Sequence, residues 1–295
     1  MIKKVYPWLL AFRFKTLTAA IVPVMVGTSL SMATGYFYSW HITIFALISA
    51  FSIQIATNLL NDAIDFKKGA DTEKRVGPKR VTQSGLLSEK QVWLMGLFFL
   101  LLACAFGLPL VLRGGVGIVI LGLISLFLAY GYTGGPFPLA YLGLGDLFVI
   151  LFFGLFAVGG TFYLHSLELT NAALIAGVQI GFLSTVLIAI NNLRDSQTDA
   201  KVNKKTLAVR FGDRFVKIEI GILILGIYGL NLYYYFVLER DWALLSFFAL
   251  PVALLLLKMV FQNMDFERER LNKALGVAAL HQMLFGVLLS VGLLL

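Results

Sequence analysis

The sequence predicts an all-α polytopic membrane protein. Hydrophobic residues make up 59% of the 295 residues and charged residues only 14%, whereas ordinary soluble domains carry roughly 25% charged residues. Apolar runs of about 20 residues, the length that crosses a bilayer as a helix, recur along the whole chain. The Lys and Arg residues are concentrated in a few segments between these runs. A soluble globular protein is therefore excluded, and the net charge of +8 is assigned to loops at a membrane surface, not to nucleic acid binding.

Nine spans are predicted, and together they form a single domain over residues 1–295 with halves at roughly 1–135 and 136–295. The stretch before the first span, Trp8 to Lys15, is predicted to lie at the membrane interface as an amphipathic segment. The predicted spans cover residues 16–35, 42–61, 91–112, 114–133, 143–163, 171–192, 215–237, 242–261 and 273–295.

The positions of the basic residues predict the orientation of these spans. If the spans alternate, 22 of the 24 Lys and Arg residues fall on one side, and only Arg113 and Arg240 fall on the other. Because basic loops are retained in the cytoplasm, the sequence predicts a cytoplasmic N-terminus and an external C-terminus. It therefore predicts an integral protein of the cytoplasmic membrane.

The stretch from Asn58 to Ser84 combines carboxamides, carboxylates and bases directly after an apolar run. If the second helix continues through this stretch, four of its polar residues lie at i, i+3, i+4 and i+7, on one helical face. These residues are Asn58, Asn61, Asp62 and Asp65. Hard oxygen donors beside lysines and arginines suit a divalent cation that is bound together with phosphate.

A second stretch of the same kind runs from Asn191 to Lys205, with Asn192, Asp195 and Asp199 at i, i+3 and i+7. An offset of 130 residues aligns Asn61 with Asn191 and Asp65 with Asp195. An even number of spans separates the two motifs, so both face the same leaflet. The chain is therefore predicted to contain a parallel internal repeat.

The segment from Tyr130 to Asp146 contains no Lys or Arg, although it is predicted to lie on the cytoplasmic side. Its Gly and Pro residues predict an irregular turn, which either packs over a cavity or is a short structural connection. Asp146 follows near the start of the fifth span, where an acid is costly. It either shapes the pocket for an acceptor or makes a structural hydrogen bond.

Two acidic faces across one cavity could hold two Mg²⁺ ions on one diphosphate, which would become a better leaving group. Nearby bases could neutralise the remaining charge, namely Lys67, Lys68, Arg75, Lys79, Arg80, Arg194, Lys204, Lys205 and Arg210. The hydrocarbon surroundings suit a substrate whose other end is a long apolar chain. The alternative is a solvated juxtamembrane loop with ordinary ion pairs.

At these residues the chain resembles the UbiA superfamily of intramembrane aromatic prenyltransferases, whose two aspartate-rich motifs correspond to 58–65 and 191–199. Further stretches resemble the branch that prenylates 1,4-dihydroxy-2-naphthoate in menaquinone biosynthesis. They are R-F-K-T-L-T-A-A-I-V-P-V (13–24), D-F-K-K-G-A-D-T (65–72), G-P-K-R-V-T-Q-S-G (77–85), Y-T-G-G-P (132–136), G-L-G-D (143–146) and K-K-T-L-A-V-R-F-G (204–212).

The resemblance implies nine helices around a central cavity and Mg²⁺-dependent transfer of a polyprenyl chain to the naphthoate ring, with loss of CO₂ to give demethylmenaquinone. The implied metal ligands are Asn61, Asp62, Asp65, Asp71, Asn192, Asp195 and Asp199. The implied diphosphate contacts are Asn58, Lys67, Arg80, Arg194, Lys204 and Lys205. Asp65, Asp195, Tyr132 and Asp146 are the predicted catalytic residues.

One departure from the family pattern concerns the first motif. The family often has a further aspartate four residues after Asp65, where this chain has Gly69, and Asp71 is predicted to replace it.

Three other functions are the alternatives: prenylation of 4-hydroxybenzoate, homogentisate or a chlorophyllide; ion transport; and phospholipid synthesis. Transport predicts acids near mid-membrane and inverted symmetry, and the phospholipid synthases use a D-G-x₂-A-R spacing that this sequence lacks.

Overall fold

A computed structural model describes residues 2–69, 77–78, 80–136, 138–262 and 270–295, and within these ranges the regular structure is helical. The predicted metal ligand Asp71 lies outside the described residues. The α-helices are α1 (Ile2–Phe12), α2 (Thr18–Ala33), α3 (Trp40–Lys67), α4 (Glu89–Gly131), α5 (Leu139–Leu142), α6 (Gly145–Val149), α7 (Ala157–Ser166), α8 (Asn171–Lys201), α9 (Leu207–Phe236), α10 (Leu250–Phe261) and α11 (Arg270–Leu294). A π-helical segment, Ile150–Phe156, joins α6 to α7, and 3₁₀ segments cover Phe14–Thr16 and Asp241–Ala249.

By length and apolar composition, seven helices in the described part of the chain are able to cross a membrane, or eight if the bent pair Val5–Thr16 and Thr18–Ala33 counts as one span. The protein is therefore an integral membrane protein. The bend of 49° in that pair follows Arg13, whose φ of 52° is left-handed. The predicted interfacial stretch from Trp8 to Lys15 thus comprises the end of α1 and most of the first 3₁₀ turn.

The helix α4 folds back on itself at Gly115, whose φ of 68° and ψ of −153° are not helical. The rings of Trp93 and Tyr130 lie 6.2 Å apart, whereas a straight helix would separate these residues by about 55 Å. α4 is therefore a helical hairpin with limbs on either side of Gly115. Glycine allows the turn, because its missing Cβ leaves positive φ accessible.

The helix α8 lies at the centre of the bundle and α4 at its edge. The apolar window of α8 is 72% buried within the protein and that of α4 only 17%. α8 packs against α2, α7, α9, α11 and the π-helical segment, while α4 packs mainly against α3. Exposed Leu and Phe side chains on α4 are consistent with a face toward lipid.

Both polar motifs continue a helix, as the sequence predicts. α3 runs through Asp65 to Lys67 and α8 runs through Asp199 to Lys201, so the two sets of polar residues occupy the last turns of these helices. The predicted spans end at residues 61 and 192, whereas the helices continue to Lys67 and Lys201, because hydrophobicity marks where an apolar run stops and not where the helical hydrogen bonds stop. The π-helical segment and α5 were not predicted.

Candidate active site

The side chain of Asn58 binds the junction between α1 and α2. Its Nδ2 donates to the carbonyl oxygen of Phe12 at 3.1 Å and to Oγ1 of Thr16 at 3.0 Å. Asn58 is buried, so these bonds satisfy an amide that would otherwise be costly to place there. Its predicted contact with diphosphate stays a prediction, because the structure commits its donors to the protein.

Asp62 fixes the chain that follows the basic loop. Its Oδ2 accepts the backbone N–H of Val81 at 3.3 Å, and its Oδ1 accepts the backbone N–H of Thr82 at 3.1 Å. The side chain is 2% exposed. Asp62 therefore anchors residues 81–82 to the end of α3, and its role as a metal ligand stays a prediction.

Asp65 lies about one helical turn after Asp62 on α3, and its carboxylate contacts side chains from two other segments of the chain. Nη2 of Arg80 lies 3.2 Å from its Oδ2, and both side chains are more than 90% buried. The hydroxyl of Tyr141 donates to its Oδ1 in a long hydrogen bond of 3.5 Å. Because Arg80 directly precedes residues 81–82, the attachment of these residues to Asp62 also holds Arg80 close to Asp65.

The second motif is organised by a bidentate pair between neighbours on α8. Nε and Nη2 of Arg194 lie 2.7 and 2.6 Å from Oδ1 and Oδ2 of Asp195. The same guanidinium donates to Oδ1 of Asn191 at 2.7 Å and to Oδ1 of Asn272 on α11 at 2.9 Å. Arg194 is 2% exposed. It holds Asp195 in place and ties α8 to α11, while its contact with diphosphate stays a prediction.

The remaining residues of the second motif face the loop that follows α8. Nζ of Lys204 lies 3.5 Å from Oδ1 of Asp199, and the backbone N–H of Lys205 donates to the carbonyl oxygen of Tyr141 at 3.1 Å. Asn192 is buried within α8. The side chain of Lys205 is exposed, as is that of Lys67 after the first motif.

Tyr141 is a site residue that the sequence analysis did not single out, and it contacts Lys68, one of the bases predicted to neutralise charge. Nζ of Lys68 donates to the carbonyl oxygen of Thr133 at 2.7 Å and lies 4.5 Å from the ring centroid of Tyr141. Nζ of Lys204 lies 5.9 Å from the same centroid, a cation–π distance. One ring thus contacts the lysines that follow both motifs. Tyr141 belongs to the uncharged segment between Tyr130 and Asp146, and the unusual composition of this segment was the signal that could have identified it. Of the two interpretations of the segment, packing over a cavity agrees better with this contact than a short structural connection does.

The same segment also contacts the first motif through Thr133. Its Oγ1 donates to Oδ1 of Asn61 at 2.6 Å, which directs the carboxamide oxygen of Asn61 toward the residues after α4. Gly143 completes the packing of α5 on the loop after α8, because a Cβ there would lie 2.6 Å from the carbonyl oxygen of Lys205.

Tyr132 lies among carboxylates from three helices. Burial, followed by the negative charges of Asp146, Asp199 and Asp65, raises the pKa of Tyr132 above its ordinary value of 10.0. Its hydroxyl also lies 3.1 Å from the position that a Cβ on Gly145 would take. Tyr132 is therefore close enough to the predicted catalytic residues Asp146 and Asp65, and to Asp199 of the second motif, for their charges to act on it.

Asp146 is buried near the start of α6, with 5% of its surface exposed. Its Oδ1 has no hydrogen-bond partner among the residues that the structure describes. A buried carboxylate oxygen of this kind normally has a partner. Of the two interpretations of Asp146, a purely structural hydrogen bond is therefore not supported for this oxygen.

An apolar cavity of about 400 Å³ lies next to this polar site. Its lining includes Tyr132 and Thr57 together with Leu110 and Leu164. Ala46 and Thr57 both line the cavity, and their separation along α3 corresponds to a depth of about 17 Å. A polar site at the end of a deep apolar cavity fits an amphiphilic substrate with a charged head and a hydrocarbon tail.

The donors at this site fit a hard cation that is also bound by its substrate. The described residues contain no group of three or more His, Cys, Asp or Glu side chains that could hold a metal by themselves. Mg²⁺ rarely requires one, because it keeps waters and takes phosphate oxygens with one or two carboxylates. The oxygen donors of the two motifs that could take part are those of Asn61, Asp65, Asn192, Asp195 and Asp199.

The fold and the site together define a polytopic α-helical membrane enzyme whose polar site opens onto an apolar cavity. The chain belongs to the UbiA prenyltransferase family, whose sequence profile matches residues 20–285. It is therefore a prenyltransferase, as the two aspartate-rich motifs predicted.

Two bacterial relatives are similar over most of their length. The 1,4-dihydroxy-2-naphthoate octaprenyltransferase of Escherichia coli is 35% identical over 98% of this chain and 97% of its own. The protein of the same name from Mycobacterium tuberculosis is 36% identical over 84% of this chain and 83% of its own.

The same fold occurs in two solved archaeal structures. A UbiA homologue from Aeropyrum pernix superimposes with a TM-score of 0.67 at 14% identity, covering 90% of this chain and 96% of its own. A homologue from Archaeoglobus fulgidus, bound to DMAPP and Mg²⁺, gives a TM-score of 0.67 at 17% identity, covering 96% of this chain and 99% of its own.

Proposed function

We propose that this enzyme transfers a polyprenyl chain from a polyprenyl diphosphate to 1,4-dihydroxy-2-naphthoate. The observation that carries the proposal is that Tyr141 contacts Asp65 of the first motif and Lys204, the partner of Asp199 in the second, beside an apolar cavity that Tyr132 lines. The names and coverage of the bacterial relatives support the naphthoate as acceptor.

When bound, Mg²⁺ would neutralise charge on the leaving diphosphate, and we propose that two such ions take part. Asn61 and Asp65 would hold it on the first motif, with Asn192, Asp195 and Asp199 on the second. Asp62 and Asp71 complete the proposed set of ligands. The cation bound with DMAPP to the archaeal homologue supports this assignment.

The basic residues of the site bind the diphosphate in this proposal. Lys68 and Lys204, which follow the two motifs, both lie against the ring of Tyr141. Lys67, Lys205, Arg80 and Arg194 add positive charge around it. Such charges stabilise the negative charge that develops on diphosphate as the allylic C–O bond breaks.

The acceptor ring binds beside Tyr132 and Asp146. A ring carbon forms the new C–C bond with the allylic carbon as diphosphate leaves, and the ring carboxylate departs as CO₂. The product is the quinol form of demethylmenaquinone, and no net proton is released. The electron-rich ring therefore needs no strong base, and the protonated hydroxyl of Tyr132 orients it.

We also propose the membrane arrangement that the sequence predicts. Dividing α4 at Gly115 and counting α2 as a span gives nine crossings, with a parallel repeat that pairs the motif on α3 with the motif on α8. The distribution of Lys and Arg supports a cytoplasmic N-terminus, an external C-terminus and a site on the cytoplasmic side of the cytoplasmic membrane.

Prenyl transfer by the purified protein in detergent tests the proposal. Mg²⁺ and a polyprenyl diphosphate are supplied with 1,4-dihydroxy-2-naphthoate or, in parallel, with 4-hydroxybenzoate. We expect prenylated naphthoate and CO₂, both abolished by EDTA. Prenylation of the benzoate alone would overturn the acceptor, and no consumption of diphosphate with either acceptor would overturn the reaction.

A further inference from the structure

The wall of the cavity nearest to Asp146 is a ladder of three phenylalanines. Phe148, Phe152 and Phe156 all line the cavity. The first two rings are stacked, with centroids 6.0 Å apart and an angle of 15°, and the second and third meet edge to face at 5.0 Å and 89°. We call these three residues the Phe ladder.

A π-helical segment carries most of the ladder, because Ile150–Phe156 adopts this rare geometry. π-Helical turns in α-helical surroundings are frequent at functional sites. The widened turn changes the angular spacing of the side chains, and here the rings at 148, 152 and 156 all face the cavity.

Backbone contact with α8 holds this segment in place. A Cβ on Gly181 would lie 2.8 Å from the carbonyl oxygen of Ile150, and one on Gly177 would lie 2.9 Å from Cα of Leu155. A Cβ on Gly154 would overlap the carbonyl oxygen of Gly177. Glycines four residues apart allow this approach, as in closely packed membrane helices. The segment therefore sits against α8 with no intervening side chain, and the cavity lies on its other side.

The cavity walls that α3 and α4 form carry aliphatic and small side chains, among them Ile53, Ala103, Gly107, Leu121 and Leu126. The ladder therefore supplies aromatic rings to one wall of the cavity, and it begins two residues after Asp146. The successive centroid distances of 6.0 and 5.0 Å mean that the ladder spans at most about 11 Å between its first and third rings. A hydrocarbon chain whose head lies at the polar site passes the three rings in order.

We propose that the Phe ladder is the recognition track for the first isoprene units of the donor, with Phe148 nearest to the reacting carbon and Phe156 furthest from it. This inference rests on the proposed function, since it assumes a prenyl diphosphate as donor. The branched, unsaturated units present π faces and methyl groups that pack against aromatic rings. The three positions therefore determine which donor lengths gain binding energy.

The test is a donor-length series with single Phe→Leu variants, which keep an apolar side chain in the cavity. Unreactive thiolodiphosphate analogues with one, two, four and eight isoprene units are bound to purified protein with Mg²⁺ and without any aromatic acceptor. Phe127→Leu is the matched control, because Phe127 is 68% exposed on α4 and does not line the cavity. Each Kd is corrected for the folded fraction of the sample, measured by size-exclusion chromatography, because a partly unfolded sample weakens all donors equally.

We expect F148L to weaken every donor about 3- to 10-fold, and F156L to weaken only the longer donors by a similar factor. F152L should give an intermediate pattern, and F127L should leave all four Kd values unchanged. Equal effects of the three variants on every donor length, or none on any, would overturn the ladder while donor binding by the parent protein persists. Failure of the parent protein to bind any donor would overturn the proposed function as well.

Discussion

The hydroxyl of Tyr141 lies 3.5 Å from Oδ1 of Asp65, and this contact connects the first motif to the segment that packs on the second. The same ring lies 4.5 Å from Nζ of Lys68 and 5.9 Å from Nζ of Lys204. Tyr141 therefore aligns the lysines of both motifs beside the carboxylate of one.

We predict that Tyr141→Phe lowers kcat/KM for prenyl transfer about 3- to 10-fold, because it removes a weak hydrogen bond to Asp65 but keeps the ring for both lysines. Tyr141→Ala should cost clearly more, because it also removes the cation–π contacts. Steady-state kinetics with varied donor measure both effects. Tyr235→Phe, on the exposed end of α9, is the control, and equal activity of the two Tyr141 variants would contradict the role of the ring.

The anchor between Asp62 and residues 81–82 predicts a loss of stability. Asp62→Ala leaves two backbone N–H groups without acceptors, which costs about 1–3 kcal/mol for each buried group. We expect a lower Tm in detergent and a raised KM for the donor, because Arg80 is no longer held beside Asp65. An unchanged Tm combined with a higher Mg²⁺ requirement would show instead that Asp62 acts as a metal ligand.

The buried pair of Arg194 and Asp195 predicts that Arg194→Lys is not conservative. Lysine keeps the charge but cannot reproduce the bidentate contact or reach Asn191 and Asn272 at once. Loss of the hydrogen bonds that lysine cannot make costs about 1.5–3 kcal/mol for each one to a charged group, which thermal unfolding in detergent should detect. Arg214→Lys, at an exposed position on α9, is the control. A normal Tm with only a raised KM for the donor would assign Arg194 to diphosphate binding.

The pKa of Tyr132 predicts how activity depends on pH. Burial and the carboxylates of Asp146, Asp199 and Asp65 raise this pKa above 10.0, so the hydroxyl stays protonated as pH rises to 10. We expect Tyr132→Phe to lower kcat about 10-fold, the equivalent of one hydrogen bond of roughly 1.4 kcal/mol, without changing the shape of the profile between about pH 6 and 10. An alkaline limb that is present in the parent enzyme and lost in Tyr132→Phe would contradict a protonated Tyr132.

Local sequence patterns were sufficient to predict where the polar motifs lie, because helical spacing alone places Asn61, Asp62 and Asp65 on one face. They were not sufficient to predict what each side chain binds. Asp62 contacts backbone N–H groups about 20 residues away, and Arg194 reaches Asn272 on α11. These partners are set by tertiary packing, which no local spacing encodes.

The geometry of the cavity wall was not predicted for the same reason, because it is set by tertiary packing. The apolar run from 143 to 163 predicts a span, but the π-helical segment within it depends on contact between Gly154 and Gly177 in α8. Tyr141 was missed for a related reason, since it follows an uncharged turn whose packing partners come from both motifs. The turn was recognised as unusual, but its contacts were not predictable from its composition.

The most direct test of the account is a double-mutant cycle between Asp65 and Asp199, measured as the rate of Mg²⁺-dependent prenyl transfer. If both carboxylates serve one diphosphate and its metal ions, Asp65→Asn and Asp199→Asn should each lower kcat by about 100-fold or more, and the double variant should be little worse than the poorer single one. Effects that multiply in the double variant, or full activity in either single variant, would contradict a single site shared by the two motifs.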